Sequence, residues 1–164
     1  NINTVITAIK QLQKQGWAIT EDYIEHGLLK TVANTQLLGR WQTLSSNPQI
    51  ICDTAHNEDG IKEIAKQLSN SKYEQLHIVF GTVDDKNLDT ILPYLPKNAK
   101  YYFCNANILR AMKAVDLKQK SDKHQLKGRI FPSVREALKC AKINANPKDL
   151  IFVGGSTFVV AEVV

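Results

Sequence analysis

Four short stretches hold the residues whose types and spacing could do chemistry. In ICDTAHN (51–57) an apolar run ends in Asp53, and His56 and Asn57 follow before helical spacing begins. Asp84, Asp85 and Lys86 follow the apolar LHIVFG; Asn105 ends AKYYFCN, and Asn107 and Arg110 come after it; Ser156 follows DLIFVGG. A carboxylate at a strand end can accept two hydrogen bonds from ribose hydroxyls, and Asp is equally a common turn former. His56 and Asn57 stand at a helix start, where free N–H groups and the helix dipole favour an anion such as phosphate. Asn57 is also a good N-cap, and His56 alone reads as well as an ordinary hydrogen-bonded residue. Asp53 with His56 makes a poor metal set, because no further His or Cys has ligand spacing. Arg40, in LLGRWQ, could fork onto phosphate or stack on a base; an unpartnered surface arginine is the competing reading. Trp41 reads as a packing residue at a domain edge. VGGST (153–157) is a Gly-rich turn without the Lys of a phosphate-binding P-loop, and no such loop occurs anywhere in the chain. If ATP is handled, its outer phosphates are held by groups outside these 164 residues.

The elements that must position these residues follow from periodicity. Val5, Ile6, Ile9 and Leu12 predict a first helix that stops near Gly16. A second, capped by Thr20, carries Tyr23, Ile24, Leu28 and Val32. Residues 34–49 read as a linker with a short extended piece. Strands are expected at 49–53, 76–81, 99–105, 128–131 and 149–155, each a continuous apolar run. Helices are expected between them: Ile61, Ile64, Ala65 and Leu68; then Leu88, Ile91 and Leu92 behind Asp84 or Asp85; then 113–120; then an S-x-x-E box at Ser133 and Glu136. Strands alternating with helices predict an α/β fold, a mostly parallel Rossmann-like sheet with helices on both faces, preceded by a short helical segment. Ligands of such sheets sit beyond the carboxyl ends of the strands, so all four polar clusters are expected on one rim.

Composition narrows the class. The net charge of +5 comes from 21 basic and 16 acidic residues, and the lysines are scattered rather than interleaved with aromatics. That argues against nucleic acid as a partner. Three dispersed cysteines, Cys52, Cys104 and Cys140, argue against a disulfide framework and for a reducing, cytoplasmic setting. No apolar run approaches about 18 residues, so no membrane span is expected. The chain lacks an initiator Met and enters a helical pattern at once, which suggests a start inside a longer protein.

Five blocks, LLGRWQTL, QIICDTAHNEDGIKEI, VFGTVDDKNL, LRAMKAVDL and LIFVGGSTFVVAEV, resemble in order and spacing the carboxy-terminal domain of the folylpolyglutamate synthase and dihydrofolate synthase family, within the Mur ligase superfamily. The resemblance implies residues 1–36 as the helical end of a central ATPase domain and 37–164 as the glutamate ligase domain. It implies an ATP- and Mg2+-dependent ligation of L-glutamate to folate or dihydropteroate through an acyl phosphate. It further implies a monomer, completed by the upstream ATPase domain. By the same resemblance Arg40 contacts ATP, Asp53 the ATP ribose, His56 the region of the phosphates, and Asn1 ATP. The metal ligands and P-loop would lie upstream. Thr54 stands where the family usually has Gly, and Glu58 where it has Pro. Two other readings remain open at this stage: a peptidoglycan-precursor ligase of the same superfamily, favoured less by the Gly-Arg-Trp entry and the TAHN block, and a non-catalytic α/β binding module.

Overall fold

The structure, a computed structural model, describes residues 2–164. It divides into a helical unit ending at Leu38 and a unit spanning Gly39–Val164, against the 36/37 division expected from the sequence. The helical unit holds α1 (Ile2–Lys14), α2 (Glu21–Leu29) and α3 (Thr31–Thr35). Thr20 caps α2 by accepting the Tyr23 N–H at 3.3 Å. The α2 pattern does not run through to Val32, because the chain breaks at Lys30 before α3.

The second unit is built on a six-stranded sheet in the order β1-β2-β6-β3-β4-β5. Its strands are β1 (Gln42–Ser46), β2 (Gln49–Asp53), β3 (Leu76–Phe80), β4 (Lys100–Phe103), β5 (Gly128–Ile130) and β6 (Leu150–Gly154). All pairs are parallel except β1 with β2. The expected mostly parallel α/β sheet is therefore present, with one strand more than the sequence predicts. β1 was expected as a linker with an extended piece. QTLSS has weak apolar character because it lies at the edge, only half-buried, and its register slips between Thr43 and Ser45.

Side chains alternate between two cores, as the period of two requires. Ile51, Ile78, Phe80, Tyr101, Phe103, Leu150 and Phe152 point to one face. There they meet Ile61, Ile64 and Leu68 of α4 (Glu58–Asn70) and Leu117 of α5 (Ala114–Lys123). Ile50, Cys52, Val79, Tyr102, Ile151 and Val153 point to the other. There they meet Val134, Ala137 and Ala141 of α6 (Val134–Asn144) and Val159 and Val160 of α7 (Thr157–Ala161). Ser133 caps α6 through the Glu136 N–H at 3.2 Å.

The helix expected over Leu88–Leu92 is not α-helical. Two 3₁₀ turns, Leu88–Thr90 and Leu92–Tyr94, take its place, and Asn87 rather than Asp84 or Asp85 caps the first. Pro93 is the reason. It has no N–H to give and its ring crowds the carbonyl one turn back, so an α-helix cannot run through it. Leu88, Ile91 and Leu92 are still buried as the apolar spacing required.

The last strand in sequence, β6, lies between β2 and β3. The chain leaves β2 toward one face, into α4, and leaves β6 toward the other, into α7. Connections that part in this way open a crevice at the carboxyl ends of the strands.

Candidate functional site

A cleft of about 340 Å³ occupies that crevice. It is lined by His56 beyond β2, by Val83, Asp85 and Lys86 beyond β3, by Arg110 beyond β4, and by Gly155–Phe158 beyond β6. The sheet thus brings together members of all four polar clusters. Asn105 and Asn107 do not join them. They line a separate cleft of about 680 Å³ with Ser133, Arg135 and Glu162, whose carboxylate accepts the Asn107 N–H at 2.7 Å. Asp84 also stays out, and its N–H donates to Arg110 O at 2.9 Å. That bond, the Met112 N–H to Thr82 O at 3.0 Å, and a bridge between Val83 and Ala111 hold the β3 and β4 exit loops together.

Arg110 is set by two contacts. Its guanidinium carbon lies 4.9 Å above the Phe158 ring, and Nη1 is 3.9 Å from Asp85 Oδ2. Both partners of the ion pair are more than half exposed, so the pair is weak and the stacking does most of the orienting. Lys86 and Arg110 against Asp85 leave the cleft cationic, which suits an anionic ligand. Phe158 escaped the sequence reading because a Phe in an apolar terminal segment looks like core.

His56 Nδ1 lies 2.9 Å from Thr54 O. A carbonyl can only accept, so Nδ1 carries the proton and Nε2 is the nitrogen that can face a ligand. Asn57 is the N-cap of α4, accepting the Gly60 N–H at 3.0 Å, as the plainer sequence reading had it. Glu58 and Asp59 fill the first turn of that helix and compete with any incoming anion. Lys62 offsets Glu58 at 2.6 Å, and its ammonium also sits over the Tyr94 ring. The cations of the cleft, rather than the helix end, are the stronger attraction for phosphate or carboxylate. Thr54 is not in the left-handed region.

Asp53 and Arg40 lie outside the cleft lining. Asp53 is buried, 7% exposed, at the end of β2. Its Oδ1 accepts the Ala55 N–H at 2.8 Å and its Oδ2 the Trp41 N–H at 2.7 Å. Arg40 is exposed on the loop that enters β1. Its neighbours are both left-handed, Gly39 at φ +69 and Trp41 at φ +41. For a residue with a Cβ this costs about 1–2 kcal/mol. The link between Asp53 and Trp41 spans twelve residues, and no local spacing in the sequence announces it. The proposed Asn1 contact lies outside the described residues.

Neither buried cysteine is a nucleophile. Burial, and then the charge of Asp53, pushes the Cys52 thiol up to about 11. Burial, and then Glu162, pushes Cys104 up to about 12. Among the described residues no group of three His, Cys, Asp or Glu side chains could hold a metal ion. No helix among them is long and apolar enough to cross a membrane.

A mostly parallel sheet with its cleft at the switch of connections defines an α/β domain of the kind that takes ligands at the carboxyl edge of its strands. Residues 39–157 match the family described as Mur ligase, glutamate ligase domain, and the chain belongs to that family. The dihydrofolate synthase/folylpolyglutamate synthase of Escherichia coli strain K12 is 28% identical over 158 residues, covering 96% of this chain and 36% of that protein. The structure of E. coli FolC in complex with DHPP and ADP superposes with a TM-score of 0.79 at 28% identity, over 96% of this chain and 36% of that one. A bifunctional folylpolyglutamate synthase/dihydrofolate synthase with Mn, AMPPNP and L-glutamate bound does so with a TM-score of 0.79 at 26% identity, over 96% and 37%. The chain spans about a third of the length of these relatives. The family resemblance carried by the five sequence blocks and the fold class are thereby borne out.

Proposed function

We propose that this chain is the carboxy-terminal part of an ATP-dependent ligase that joins L-glutamate to a folate or dihydropteroate carboxylate. In this reading Gly39–Val164 is the glutamate ligase domain, and the helical unit is the end of the central ATPase domain. The observation that carries it is the likeness to FolC bound to DHPP and ADP, at 28% identity over 96% of the chain.

In the reaction implied, an oxygen of the acceptor carboxylate attacks the γ-phosphorus of ATP. The bond to the β-phosphate oxygen breaks, and ADP leaves. The amine of glutamate then attacks the acyl carbon, phosphate departs with the bonding pair, and the amine gives up a proton. The residues of this chain bind and orient. Arg40 offers a fork of donors to phosphate. Asp53 faces the ribose. His56 Nε2, Lys86 and Arg110 hold negative charge at the crevice. Magnesium would be held by ligands of the upstream ATPase domain, where it would neutralise charge on the phosphates. The P-loop would likewise come from the upstream ATPase domain. We place the enzyme in the cytoplasm, as a monomer.

The test is ligation by the full-length protein, with ATP, L-glutamate and either dihydropteroate or tetrahydrofolate. The expected result is acceptor-dependent ADP release and a product heavier by one glutamyl residue. Turnover only with a peptidoglycan precursor would move the chain to the other branch of the superfamily. No acceptor-dependent turnover with any of them would sink the ligase reading.

A further inference from the structure

We propose that Asp53 is a positioning residue for Arg40: its carboxylate fixes the loop that carries Arg40, and Arg40 depends on that tether for its part in nucleotide use. The second half rests on the ATP reading given above; the first half does not.

The loop is pinned on both sides of Arg40. Before it, Gly39 O accepts the Thr54 N–H at 2.9 Å, and the Gly39 N–H donates to Gln42 Oε1 at 2.7 Å. After it, the Trp41 N–H donates to Asp53 Oδ2 at 2.7 Å. Trp41 holds a left-handed φ of +41 that a tryptophan does not choose by itself. Such a conformation persists only where its surroundings over-determine it. Its ring, half-buried, packs 6.4 Å from that of Phe152 on β6, and Asp53 fixes its N–H. Asp53 itself cannot drift, because it ends a buried strand and its other oxygen holds Ala55. One carboxylate therefore transmits the fixed position of the sheet to an exposed arginine. A carboxylate has about four lone-pair sites. The tether and a contact to ribose are compatible, and the tether adds the dependence of Arg40 on Asp53.

The experiment compares Arg40→Ala, Asp53→Ala and the double variant in the full-length protein. Alanine removes both acceptor oxygens, whereas Asn could turn its one remaining oxygen toward either Trp41 or Ala55. Each single change is expected to raise the KM for ATP about tenfold or more, and the double to stay well below the product of the two. Effects that multiply, to about a hundredfold, would overturn the proposal, because Asp53 would then act independently of Arg40. A second readout needs no ATP: exchange of the Trp41 amide hydrogen in the ligand-free protein. It should accelerate about tenfold or more in Asp53→Ala and be unchanged in Arg40→Ala. Should Asp53→Ala fail to fold, Asp53→Glu keeps the charge, misplaces the acceptor and should free the same amide. An unchanged Trp41 amide in the folded variant overturns the tether. If both single variants use ATP normally, the ATP reading falls by itself, and the exchange result alone decides the tether.

Discussion

Gly155 shapes the floor of the cleft. It turns β6 into α7 with φ +96, and a Cβ placed there would lie 2.4 Å from Phe80 Cε2 and 2.6 Å from Gly81 O. A rigid ring and a backbone carbonyl cannot both yield, so Gly155→Ala should destabilise the fold by at least about 2 kcal/mol. A fall in the denaturation midpoint checks this, and an unchanged midpoint would contradict the packing described. Lys86 and Arg110 are exposed or half-exposed and hold nothing of the core, so their loss should read differently. Lys86→Ala and Arg110→Ala should weaken binding of an anionic substrate about tenfold with stability unchanged within about 0.5 kcal/mol. Full affinity in both would remove the cationic cleft from the site. The rim membership of His56, Asp85, Lys86, Arg110 and Ser156 was legible in the sequence, because each follows an apolar strand and parallel strands share one carboxyl edge. The Asp53–Trp41 bond was not, because it joins residues twelve apart through a backbone N–H that any residue type supplies.

The same division holds for whole elements. Strands β2, β3 and β6 were readable because burial on both faces leaves continuous apolar runs. β1 was not, since an edge strand needs less apolar surface, and the β3–β4 crossover was misread because Pro93 overrides a helical spacing. Between β3 and β6, far from the cleft, lies a polar pair that an apolar pattern also hides. His77 is fully buried; its Nε2 lies 3.2 Å from Asp149 Oδ2 and its Nδ1 2.9 Å from the Tyr102 hydroxyl. Burial lowers the His77 pKa, and the hydrogen bond and charge of Asp149 only partly oppose this. Burial would raise Asp149, but the Asn146 N–H, then His77, then the Gln75 N–H hold it below the usual carboxylate range. The signs agree. The unfolded chain takes up a proton at His77 near pH 6.5 while the fold resists it, so stability falls as pH drops below about 6.5. Asp149 adds a further loss below about pH 4. Denaturation midpoints at pH 7.5 and 5.5 should therefore differ in the native protein. His77→Gln, which does not titrate, should flatten this step. His77→Ala, which leaves a cavity and unpaired neighbours, should cost on the order of 3 kcal/mol at pH 7.5.

At the scale of the molecule, the two units differ in what they bury. Every residue of both hydrophobic cores lies within Gly39–Val164, from Ile50 to Val160. Among the described residues, α1, α2 and α3 contain no buried side chain. Trp17 at 63% exposed, Leu29 at 78% and Val32 at 55% leave large apolar surface on that unit, more than isolated exposed residues explain. On the proposed reading these are interior positions of the ATPase domain that precedes. A chain of 126 residues with two filled cores on one sheet can fold independently. Residues 39–164 expressed alone should then unfold cooperatively, with a midpoint within about 3 °C of that of 1–164. They should also remain monomeric at concentrations where 1–164 begins to associate through its exposed helices. Neither piece should release ADP from ATP in the presence of glutamate and a folate acceptor, because neither holds a P-loop. Sedimentation, thermal unfolding and an ADP-release assay on the two chains separate the outcomes. A 39–164 chain that melts without cooperativity would show that the helical unit completes the fold. Turnover by either chain would mean that the phosphate-holding groups lie within these residues after all.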